Sequence, residues 1–95
     1  MKESDLPKLA MVIDDVFFIE GMGVIITGQK GEDWDRISAS PYIKIHHEGE
    51  IARFEVRDVE SFRSLTYPTI PSPVGGIVLN CKDKSLFHKG DVVTI

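Results

Sequence analysis

Residues 13–28, IDDVFFIEGMGVIITG, decide the fold class of this chain. Two apolar runs rich in β-branched and aromatic residues flank Glu20-Gly21-Met22-Gly23. Such runs form strands, and the two glycines permit backbone angles that side-chained residues avoid, so the stretch predicts a β-hairpin. Working outward, the same criteria predict strands over residues 10–19, 24–29, 42–46, 51–56, 74–81 and 91–95. Polar connections fall at 30–35, which contains Trp34, and at 83–89, while Pro68, Pro71 and Pro73 mark a loop over 66–74. No segment has the period of a helix of normal length. The expectation is an all-β, small closed Greek-key β-barrel of about six strands, occupying residues 10–95 behind a mobile lead-in over 1–9.

Side-chain alternation orients the strands. Ala52, Phe54 and Val56 share one face, and Ile51, Arg53, Glu55 and Arg57 the other. Unbroken alternation would then turn Val59 outward, so a bulge is expected near Arg57 and Asp58 that returns Val59 and Phe62 to the interior. In the first strand Ile13, Phe17 and Ile19 form one apolar side and Val16 and Phe18 the other. The predicted core is Phe17, Ile19, Ile25, Phe54, Val56, Val59, Ile77 and Leu79. That leaves Val16 and Phe18 outside, covered by Leu6 and Leu9 or serving as a contact surface for a partner.

Composition narrows the function classes. Ninety-five residues suffice for one core, and 42% hydrophobic with 27% charged residues is ordinary for a globular domain. The net charge of −4 disfavours a broad electrostatic grip on nucleic acid. It is uneven: residues 1–50 carry five basic and ten acidic side chains, and residues 51–95 carry six and five. An RNA-binding face, if present, belongs to the second half. The single Cys81 cannot form an internal disulfide, and no apolar run is long enough to span a membrane, so the expected location is the cytoplasm, with no membrane partner.

No motif announces catalysis or a cofactor. The glycines at 21, 23, 28 and 31 lie between strands, whereas a phosphate loop needs a strand-to-helix junction and a terminal Lys-Ser/Thr pair, so nucleotide binding is not expected. His46 and His47 are neighbours on a strand and point to opposite faces, and His88 is far away in sequence. They read as exposed turn histidines, with no metal site expected. Cys81 sits in the apolar run GIVLNC and reads as a buried, inert thiol, and Asp14 and Asp15 alternate faces, so neither supports an enzyme.

Beyond these readings, the hairpin resembles the opening of the second-domain β-barrel of translation GTPases of the elongation factor Tu type, whose pattern is D-V-F-x-I-x-G-R-G-x-V-x-T-G. Asp15, Val16, Phe17, Ile19, Gly21, Gly23, Thr27 and Gly28 occupy those places, with Met22 where the family has arginine and Phe18 at a place commonly small or polar. The run VESFR at 59–63 is similar to the family's V-E-M-F-R, and GIVL at 76–79 to its G-V-L-L. Gly90, fourteen residues after Gly76, begins the counterpart of its R-G-Q-V segment after Lys89. The resemblance implies a stand-alone domain 2-like barrel. In that family the places of Glu60, Arg63 and Val78 help hold the 3′ end of transfer RNA; the family's polar residue before V-G is here Val74. Without a GTPase domain the expected role is passive: a non-enzymatic protein-interaction module, or an RNA-binding accessory that uses Glu60, Arg63 and Val78 to recognise an RNA 3′ end.

Overall fold

An extra residue in the first strand determines which side of the hairpin faces inward. The computed structural model describes the backbone of residues 9–63 and 71–95 and the side chains of residues 9–60 and 74–95. Six strands are present: β1 (Leu9–Ile19), β2 (Gly23–Lys30), β3 (Tyr42–His47), β4 (Glu50–Arg63), β5 (Pro71–Leu79) and β6 (Val92–Thr94). All neighbouring pairs are antiparallel, and the order β1-β2-β5-β4-β3-β6 closes on itself through the β6–β1 pair. Closure removes the sheet edges that a domain of this size would otherwise expose. The expected small all-β barrel is the observed fold. The lead-in, apart from Leu9, and most of the proline-rich loop lie outside the described residues. Strand β5 begins at Pro71, inside the span read as loop, and there it pairs only with β4, on a stretch where a proline withholds no ladder bond from β2.

In β1, Ile13 pairs with Gly28 but Asp15 with Thr27, so Asp14 is inserted as a bulge. Gly28 is needed opposite it, because a Cβ there would lie 1.8 Å from the Val12 carbonyl oxygen. The insertion shifts the alternation by one residue. Buried Ile13 is followed inside by Val16, which packs against the core, while Phe17 and Ile19 point out and are each 46% exposed. The expected sides of β1 are therefore reversed after the bulge, while Ile13 faces inward as expected. Ile25, aligned with Phe17, is likewise only half-buried, and Val24 and Ile26 fill the interior instead.

The interior is built in rows across the wall. One row runs Val16, Ile26, Ile77, Val59, and the next Phe18, Val24, Leu79, Val56. The predicted bulge in β4 is present between Val56 and Asp58 and brings Val59 against the core with Val56, Ile77 and Leu79, as expected, while the side chain of Phe62 lies outside the described residues. From the opposite wall come Ile43, Ile45 and Val93, with Phe54 half-buried against Phe87 at a ring separation of 4.7 Å.

Among the described residues, two short 3₁₀ helices occupy the connections. Trp34–Ala39 carries buried Trp34 and Ile37, so the connection read as polar supplies core. The Trp34 ring lies against Gly75, where a Cβ would come within 2.4 Å of it. Lys84–Leu86 is capped by Asp83, whose carboxylate accepts from the Ser85 amide and precedes buried Phe87. The Ser85 hydroxyl, which also donates to this carboxylate, and then the amide hold the Asp83 carboxyl below its ordinary pKa.

Candidate functional site

The end of the β1–β2 hairpin exposes large apolar side chains on both of its sides. Phe17 and Ile19 face outward, Phe18, at the β1 end of the row of Val24 and Leu79, is 42% exposed, and Met22 lies in the turn. The turn is well fixed. Met22 N–H donates to the Ile19 carbonyl at 3.0 Å with Gly21 at φ 85°, a type II turn. The Arg57 guanidinium, delivered by the β4 bulge, donates to the Met22 carbonyl at 2.7 Å. The exposed Glu20 carboxylate and the Arg57 and Lys82 cations lie beside the patch, while Asp14 and Asp15 are exposed farther back along β1. Val16, expected beside Phe18 as surface, is instead half-buried inside.

Of the residues singled out by the family resemblance, Glu60 and Val78 fall in adjacent rows of the wall. Glu60 is exposed opposite Gly76, and Val78 stands one row away between Ile25 and Asp58. Val78 retains only 2% exposure. Arg63 pairs with Pro71 through its backbone, and its side chain lies outside the described residues. Cys81 follows β5 rather than lying within it and is half-buried, so the expectation of full burial inside a strand is corrected.

A third cluster is one that the sequence does not bring together. Residues 88–91 form a turn closed by Asp91 N–H on the His88 carbonyl at 3.1 Å, with Gly90 at φ 90°. The same turn directs the His88 amide onto Asp91 Oδ2 at 3.1 Å. Strand β6 then pairs with β3, His46 opposite Val92, which sets His47 beside Asp91. His47 ends its strand at a two-residue turn, Glu48 and Gly49, both with positive φ. The His47 and His88 rings stack at 4.0 Å with planes 16° apart, and His47 Nδ1 hydrogen-bonds to Asp91 Oδ1 at 2.6 Å. This bond, aided by the charges of Asp91, Glu48 and Glu50 and opposed by partial desolvation, raises the His47 pKa above its ordinary value. His46 turns to the other face, as expected, and its Nε2 bonds Thr94 Oγ1 at 2.8 Å, but both it and His47 are half-buried strand residues rather than the exposed turn histidines expected. His88 is thus a spatial neighbour of His47 despite its distance in sequence. Neither the turn at 88–91 nor the β3–β6 pairing was read from the sequence.

Neither the protein-family models nor the curated proteins compared with this chain match it. Among the described residues no helix is long and apolar enough to cross a membrane.

Proposed function

We propose that this barrel is a non-enzymatic protein-interaction module of the cytoplasm, related to the domain 2 barrels of translation GTPases, which binds its partner with the β1–β2 hairpin. The observation that carries the reading is the hairpin end itself: Phe17, Phe18, Ile19 and Met22 are all more than 40% exposed on a turn pinned by Arg57. Exposed aromatic and aliphatic side chains on a preorganised element are what an interface anchors on, since little ordering entropy is left to lose on binding. The near-complete burial of Val78 leaves little of it to stack on a terminal nucleotide, which favours a protein partner over an RNA end.

The test is a photo-crosslinking residue placed at Phe17 in cells, with the same residue at Lys44 on the opposite wall as control. The expected result is a discrete, nuclease-resistant protein adduct from position 17 that disappears with Ile19→Ser and is not formed from position 44. Adducts equal at the two positions would overturn the reading, and a nuclease-sensitive adduct would replace it with RNA binding, to be checked by the salt dependence of an RNA titration.

A further inference from the structure

We propose that His47, His88 and Asp91 form a binding site for one zinc-class divalent transition-metal ion. The three side chains each present a ligand atom within 4.8 Å of the other two. A four-coordinate zinc ion with bonds of about 2.0–2.1 Å holds its ligands about 3.3 Å apart. Reaching that spacing takes a small rotation of two imidazoles that are partly free to move, with side-chain exposures of 37% for His47 and 49% for His88. Asp91 is the fixed member. Its carboxylate is only 6% exposed and is held by the His88 backbone amide, so it enters the site already oriented.

The hydrogen bonding of the cluster leaves a ring unexplained. Asp91 Oδ1 is engaged by His47, and Oδ2 by the His88 amide, whereas the His88 ring Nδ1 stands 3.5 Å from Oδ2, too far for a good hydrogen bond. The His88 ring is nonetheless stacked in parallel on His47 with its nitrogen turned toward the same carboxylate. An ion between the two nitrogens and the carboxylate makes use of that placement. Two imidazoles and one carboxylate are a donor set for zinc, cobalt, nickel or copper rather than for magnesium or calcium, which prefer oxygen alone. Three protein ligands also leave a coordination position open to water. Beside it, His47 and His88 border a depression of about 370 Å³ walled by Ile51, Leu86 and Phe54, where a small ligand of the ion would find apolar contact.

The test uses the tag-free chain with Cys81→Ser, so that the sole thiol cannot compete, stripped of metal by a chelator and dialysed. Zinc is titrated calorimetrically and cobalt by its visible absorption, with magnesium as control. The expected result is saturable one-to-one binding of zinc and cobalt and none of magnesium. His88→Ala, at an exposed position, should keep the metal-free melting temperature and lose at least about ten-fold in zinc affinity. His46→Gln, which alters the neighbouring histidine on the other face, should bind as tightly as the parent. Absence of saturable zinc binding, or equal affinity in His88→Ala and the parent, would overturn the site. If His88→Ala melts early, His88→Gln provides the same comparison with the ring replaced by a side chain of similar reach.

Discussion

At the scale of single residues, the inserted Asp14 reverses the roles of its successors. Val16→Ala should cost about 1 kcal/mol or more, as removal of core methyl groups does, while Phe17→Ser should stay within about 0.5 kcal/mol. A melting comparison checks it: for a domain of this size 1 kcal/mol moves the midpoint by about 4–8 °C, so an early melt of Phe17→Ser would contradict the observed side assignment. Nothing in DVFF betrays the bulge, since both alternations are apolar and only the pairing with Gly28 breaks the tie. Position 47 carries a pH dependence. His47, facing Asp91, His88, Glu48 and Glu50, has its folded pKa raised above its unfolded value, so its contribution to stability is complete below about pH 6.5 and is lost as pH rises through the folded pKa. Chelator-treated protein should therefore lose part of its melting temperature between about pH 6 and pH 8, and His47→Gln should flatten that decline. A slope unchanged by the substitution would assign the effect elsewhere.

At the scale of elements, the strands were legible because each carries its own signal: β-branched runs, alternation in β4, and glycine at the turns. The β4 bulge was legible as well, because Val59 would otherwise have faced water beside charged Arg57. The 3₁₀ helix Trp34–Ala39 was not, since its polar surroundings hide two residues that plug the barrel, and burial of a tryptophan depends on a partner more than forty positions away. That partner makes a direct prediction. Gly75→Ala forces a Cβ into the Trp34 ring and should destabilise the protein by about 1–3 kcal/mol, while the emission of this sole tryptophan shifts red as the ring is displaced toward water. An unchanged emission spectrum would mean that Trp34 does not rest on β5. The histidine–aspartate cluster was hidden for a related reason: two of its members share a turn, but the third arrives by a strand pairing that no local pattern encodes.

At the scale of the whole molecule, the barrel is closed by its shortest member, since β6 has three residues yet bonds both β1 and β3. Leu9 at the start of β1 lies opposite Thr94 at the end of β6, so the two strands meet at the ends where the chain enters and leaves the wall. This arrangement gives the fold a mechanical direction. Tension applied between Leu9 and Ile95 acts across the closing ladder and opens it one rung at a time, like a zip. Tension between Leu9 and Lys89 instead drags β1 and β6 past one another and loads their shared bonds together. A single-molecule pulling experiment with handles at the first pair should therefore record yielding at a distinctly lower force than with handles at the second. Equal forces would place the mechanical barrier in another seam of the barrel. A wall that hides every edge of its sheet would thus be soft to a pull between Leu9 and Ile95.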